Sequence, residues 1–189
     1  MSGNNDGLSQ NNDKTPHHIL NKTISREFSQ QGLQILVFGS NDQVKTRFVH
    51  HYLDQLQKDC GTNHITMTLT SQTTLIGFLT EVTAKLESSF SIKFPSSELL
   101  PVTNYFIALA EILFTHNVVL VVTDMTVSTE QTKHLKQYLA NLAKNMSDDA
   151  INYADSHAKI IFIGNTETAE ELWSDVQSLK SRLATILAR

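Results

Sequence analysis

The sequence predicts an α/β protein, a three-layer α/β/α sandwich on a mostly parallel sheet of five strands, and three observations carry that expectation. Short apolar runs of strand length alternate along the chain with segments whose apolar residues recur at helical spacing. Two of those runs, Val118–Val122 and, its first lysine apart, Lys159–Ile163, read as continuous apolar strands rather than alternating ones, as strands covered on both faces by helices do. A glycine-led loop, Gly39–Thr46, joins the first strand to the first amphipathic helix.

The elements follow in order. Residues Met1 to about Pro16 are rich in Asn, Asp, Ser and Gly and offer almost nothing to bury, so residues 1–17 read as a flexible polar tail. The domain is expected over residues 18–189. It opens with a short helix bearing Leu20, Ile24 and Phe28 on one face, stopped by Gly32. Leu33–Phe38 is the first strand, and Thr46–Asp59 the helix after the loop, with Phe48, Val49, Tyr52, Leu53 and Leu56 inward. His64–Leu69 is β-branched and alternating, and Thr73–Leu86 presents Leu75, Phe78, Leu79, Val82 and Leu86 on one helical face. Ser88–Pro101, with its prolines and serines, reads as a loop, and Thr103–His116 returns to helical spacing through Phe106, Ile107, Ala110 and Leu113. Val118–Val122 is the expected central strand. Thr129–Met146 is a helix, Ser147–His157 a polar loop, Lys159–Ile163 a strand, Glu167–Leu183 a helix, and the last residues begin a fifth strand.

Composition bounds the function. A chain of 189 residues with 40% hydrophobic content can bury one ordinary core. No apolar run approaches the roughly 18 residues of a membrane span, and the polar N-terminus does not read as a secretion signal, so a soluble, cytoplasmic protein is expected. The one cysteine, Cys60, offers neither an internal disulfide nor a cysteine-based zinc site. A net charge of −4 leaves no broad electrostatic footprint for nucleic acid, so any DNA contact would be local. Among the 8 histidines, His17-His18 and His50-His51 are adjacent pairs with diverging side chains, and no metal-binding spacing occurs. No G-x-S-x-G elbow places a nucleophile. Trp173 reads as a core or edge anchor of the last helix.

The segment Gly39-Ser40-Asn41-Asp42-Gln43-Val44-Lys45-Thr46 matches the phosphate-loop pattern G-x-x-x-x-G-K-[ST] except that Val44 replaces the second glycine. In an intact loop, backbone amides at a helix N-terminus cradle phosphates, the lysine reaches the β and γ groups, and the hydroxyl holds magnesium. Lys45 and Thr46 are in place for those roles. Val44 adds bulk where backbone must approach phosphate, and Asp42 adds a like charge, so both oppose nucleotide binding. The alternative reading is a surface turn that ends in Lys-Thr. After the Val118–Val122 strand, Asp124 stands where a P-loop enzyme holds its magnesium shell, or else caps the next helix. Met125 follows it in place of a water-orienting glutamate and can neither accept a proton nor polarise water.

With these pieces in order, the chain from about Ile19 to Arg189 resembles the AAA+ core of the general secretion pathway protein A family, which is akin to ATPase-like domains of cell-division proteins and of transposons. The resemblance rests on the altered phosphate loop, on Val118–Asp124 as the Walker B strand, on Ile161-Phe162-Ile163-Gly164-Asn165-Thr166-Glu167, and on Leu179-Lys180-Ser181-Arg182-Leu183. It implies that Asn165 or Thr166 senses the γ-phosphate, and that Arg182 acts across a subunit interface of a homo-oligomer. It implies ATP or ADP with magnesium at Thr46 and Asp124 as cofactor. The family's helical lid is missing from this stretch. The expectation is a hydrolysis-deficient module that binds protein partners in envelope, secretion or division machinery. The alternatives are an active ATP switch serving a transposase on DNA, and a ligand-free adaptor.

Overall fold

Parallel strands that are buried on both faces need helical crossovers, and the computed structural model shows how this chain supplies them. It describes residues 32–94, 101–175 and 177–188. The predicted tail, the predicted helix bearing Leu20, Ile24 and Phe28, much of the loop before Pro101, and the side chain of Trp173 lie outside the described residues.

The elements run β1 (Gln34–Phe38), α1 (Asp42–Cys60), β2 (Asn63–Thr68), α2 (Leu75–Phe90), α3 (Val102–Thr115), β3 (Val118–Thr123), α4 (Glu130–Asp149), β4 (Ile160–Gly164), α5 (Thr166–Asp175) and β5 (Leu183–Leu187). Short 3-10 turns at Ala150–Tyr153 and Gln177–Arg182 follow α4 and α5. The five strands form one sheet in the order β2-β3-β4-β1-β5, and every neighbouring pair is parallel. The expected α/β sandwich on a parallel five-stranded sheet is therefore the observed fold.

Alternation along the strands sorts the core into two layers. Leu36, Ile65, Met67, Leu120, Val122, Ile160 and Phe162 face a cluster with Phe78, Val82 and Leu86 of α2, Leu109 and Leu113 of α3, Leu135, Leu139 and Leu142 of α4, and Leu172 of α5. Ile35, Val37, Val119, Val121 and Ile161 are equally buried but belong to the opposite face. α1 covers that face through Val49, Tyr52 and Leu53. This division follows from handedness. The β1-to-β2 connection runs one way along the sheet, the later connections run the other way, and right-handed crossovers then put α1, among the described helices, alone on its side.

Three expectations change. The middle strand is β4, with β3 and β1 on its flanks, each buried up to its last residue, because β3 must also pair with β2. α4 runs on through Ser147–Asp149, where a polar loop is expected, and its start is fixed by a capping box between Thr129 and Thr132. The expected helix Glu167–Leu183 instead ends at Asp175, a 3-10 turn buries Leu179, and Leu183 already belongs to β5, paired with Gln34. Among the described residues no helix is long and apolar enough to cross a membrane.

Candidate functional site

All five strands being parallel, their C-terminal ends share one edge of the sheet, where ligands of open α/β folds bind. A cleft of about 400 Å³ lies there, lined by Gly39, Ser40, Asp42, Lys45 and Thr46 after β1, Thr123, Asp124 and Thr126 at the end of β3 and in the turn after it, and Ile163, Gly164 and Asn165 at the end of β4.

The β1 side is built on a close approach of backbone. Gly39 has φ +148, and a Cβ there would drive into the carbonyl oxygen of Ala188, whose amide closes the sheet on the Phe38 carbonyl at 2.8 Å. The glycine is thus required by β5 independently of any phosphate. Asn41 then caps α1: its Oδ1 accepts from the amides of Gln43 at 3.0 Å and Val44 at 3.2 Å, and its carbonyl accepts from the Lys45 amide. Consequently Asp42–Lys45 is the first turn of a helix, where a phosphate loop is expected. The physical reason is Val44. Glycine can hold a loop conformation that a β-branched residue resists, and with valine the helix propagates back to the nearest good cap.

Lys45 is only 3% exposed, and its ammonium is committed within the chain. Nζ donates to the Gly164 carbonyl at 2.8 Å and pairs with Asp42 Oδ1 at 2.8 Å. Thr46 is exposed and lines the cleft.

At the end of β3 the chain turns sharply. Asp124 has φ +55, a conformation that aspartate tolerates better than most residues, and its carbonyl accepts from Val127 at 3.0 Å. This turn leaves Asp124 exposed on the cleft while Met125, wholly buried, joins the hydrophobic cluster and donates its amide to Ile163. Position 125 therefore faces the core, and a carboxylate there would enter the hydrophobic cluster.

At the end of β4, Asn165 caps α5. Its Oδ1 accepts from the Thr168 amide at 2.9 Å, while Thr168 Oγ1 accepts from the Asn165 amide at 3.2 Å. Asn165 also lines the cleft, whereas Thr166 is the exposed first residue of α5 and is not part of the lining. Arg182 lies away from it, with Nε on Asp148 at 2.5 Å and Nη1 on the Ser178 carbonyl at 2.8 Å. Hydrogen bonds from Lys144 and then Arg182 hold the Asp148 carboxyl below its ordinary range. The structure thus brings Gly39, Ser40, Asp42, Lys45 and Thr46 of the loop together with Asp124 and Asn165, and leaves Asn41, Gln43, Val44, Thr166 and Arg182 out of the lining. It adds Thr123, Thr126, Ile163 and Gly164, all at strand ends or in the turns after them, where the apolar runs of the sequence stop. Among the described residues no group of three His, Cys, Asp or Glu side chains could hold a metal ion.

The phosphates of a nucleotide do not fit this arrangement as it stands. The amides of Gln43 and Val44 are taken by Asn41, the ammonium of Lys45 is taken by Asp42 and Gly164, and two carboxylates, Asp42 and Asp124, line the cleft with one lysine.

The fold itself is a P-loop, AAA+-type fold. No family model matches the chain, and neither does any curated protein. Among solved structures it is similar to Cdc6p from Pyrobaculum aerophilum, with a TM-score of 0.62 and 12% identity over 99% of this chain and 48% of that one. It is similar to the ORC2 protein of Aeropyrum pernix, solved as ADPNP-ADP complexes, with a TM-score of 0.58 and 10% identity over 99% of this chain and 50% of that one. A third likeness is to the ORC1 protein of Aeropyrum pernix in complex with DNA, with a TM-score of 0.57 and 12% identity over 94% of this chain and 45% of that one. The chain spans about half the length of these solved chains.

Proposed function

We propose that this chain is an AAA+-type module that does not turn over nucleotide efficiently and works by binding protein partners, as a regulatory subunit of a larger cytoplasmic assembly. The observation that carries the reading is the self-satisfied start of α1, where Asn41, Asp42 and the Gly164 carbonyl take up the groups that would otherwise hold phosphate. Met125 supports it from β3, since a wholly buried thioether supplies no base to an attacking water. Secretion, cell-envelope or division machinery is the setting suggested by the likeness of Ile161–Glu167 and Leu179–Leu183 to the general secretion pathway protein A family. Arg182, tied to Asp148, is available to a neighbouring subunit only by leaving that pair.

A second reading is favoured by one feature of the cleft: Lys45, Thr46 and Asp124 line it together, as a nucleotide switch with magnesium at Thr46 and Asp124 would need. The likeness to an ORC2 protein in ADPNP-ADP complexes and to an ORC1 protein bound to DNA fits a nucleotide-dependent assembly on DNA. The net charge of −4 supplies no general DNA affinity for it. Phosphate release from Mg–ATP by the purified chain separates the two readings. The first expects background release, unchanged in Lys45→Ala. Turnover at an ordinary enzymatic rate, on the order of 1 per second or faster and lost in Lys45→Ala, would establish the second.

A further inference from the structure

The two partners of Lys45 differ in their freedom to leave. The Gly164 carbonyl is backbone of the middle strand, fixed by its ladder with Phe38 and by Thr168, whose Oγ1 would lie 2.6 Å from a Cβ at Gly164. Asp42 instead has a side chain that is 90% exposed, on the first turn of α1, against a lysine side chain that is 4% exposed. An exposed carboxylate on the cleft wall is free to swing into water, while the buried ammonium stays where it is. With Asp42 in place, the cleft presents the charges of Asp42 and Asp124 against that of Lys45, an arrangement that repels a polyphosphate.

We infer that Asp42 is the specificity-determining residue of the cleft, a built-in carboxylate that stands in for phosphate on Lys45 and keeps polyphosphate ligands out. The inference rests on the reading of this cleft given above and deepens it: exclusion is imposed by one movable side chain rather than by loss of the site. Asn41 acts beside it on the amides of Gln43 and Val44, but as the helix cap it is less free to yield. The ligand admitted when Asp42 leaves is one that bears adjacent phosphoryl groups, with Thr46, Thr123 and Thr126 supplying hydroxyls around it.

The test is calorimetric titration of Mg–ATP, and separately of inorganic pyrophosphate, into the whole chain. Wild type, Asp42→Asn, Asp42→Ser and Asp42→Asn with Lys45→Ala are compared, each checked by its thermal melt. Two replacements at an exposed position guard against a single misfolded variant. The inference expects both probes to bind Asp42→Asn and Asp42→Ser about tenfold more tightly than wild type, or better, and the gain to vanish in the double variant. Single variants within about twofold of wild type would overturn it, as would a gain that survives Lys45→Ala. Rapid ATP turnover by the wild type would instead sink the function proposed above, whatever Asp42 does. An inert wild type with unresponsive Asp42 variants sinks this inference alone.

Discussion

Replacing Lys159 with Met should remove a rise in stability that the wild type shows on the alkaline side of neutrality. Lys159 sits just before β4, is 4% exposed, and donates from Nζ to the Leu33 carbonyl at 3.2 Å. Burial pushes its ammonium down from 10.5 to about 8, and nearby Cys60 pulls it back only in part. Between those two values the unfolded chain holds a proton that the folded chain has released, so stability must climb with pH across that window. At about 1.4 kcal/mol per unit, the climb from about pH 7 to about pH 9.5 amounts to roughly 2 kcal/mol. The window closes near pH 10, because burial pushes the Tyr52 hydroxyl up and that group acts in the opposite sense once unfolded tyrosine ionises. Urea melts at half-unit steps of pH should show the rise in wild type and a flat profile in Lys159→Met. A wild-type profile that is flat or falling over this range, or a Met variant that keeps the rise, would refute the assignment of a buried, readily discharged amine at the foot of β4.

Three further outcomes follow from the packing. Gly39→Ala should cost about 2–4 kcal/mol in a denaturant melt, because φ +148 and the Ala188 carbonyl both refuse a Cβ, whereas a glycine kept only for phosphate would cost little in a melt without ligand. Met125→Glu, the change that would restore a glutamate after Asp124, should cost about 3 kcal/mol or more and yield no phosphate release, since it buries a carboxylate in the cluster around Met125. Lys136 is buried and pairs with the half-exposed Glu171 at 2.8 Å across α4 and α5; Glu171→Ala should therefore cost about 2 kcal/mol by stranding the ammonium, and Lys136→Met less than about 1 kcal/mol, as paired melts can show.

What the sequence made legible was whatever hydrophobic periodicity encodes. Val118–Val122 and Lys159–Ile163 are legible as two-faced strands because, Lys159 apart, nothing polar interrupts them, and the alternation of strands with helices is enough to predict a parallel sheet. Helix ends were less legible, because caps are set by hydrogen bonds rather than by apolar spacing. Phe48 is the first apolar residue of the α1 pattern after Val44, so apolar spacing leaves the turn Asp42–Lys45 as loop, and the motif hides Asn41's role as a cap. Likewise apolar spacing puts Thr129 inside α4, although its hydroxyl and that of Thr132 form the helix's starting box. Strand order was not legible either, since it depends on which strand β1 pairs with across more than a hundred residues.

For the site, residue types were readable and their commitments were not. Lys45, Lys136 and Lys159 are all buried, against the habit of lysine, and only the fold reveals the carbonyl or carboxylate that holds each one. From sequence, Met125 shows only the chemistry it lacks. The structure adds that its position faces the core, so the missing glutamate is a packing matter as well.

The central claim is that the amides of Gln43, Val44 and Lys45 and the Lys45 ammonium are satisfied by the chain itself. Backbone amide spectra of the whole chain, recorded as Mg–ATP is raised to millimolar concentration, report on this directly through Gly39, Gln43, Val44 and Lys45. The account predicts that these resonances stay in place in the wild type. Shifts confined to Gly39–Thr46, Asp124 and Asn165 that saturate in the micromolar range would contradict it.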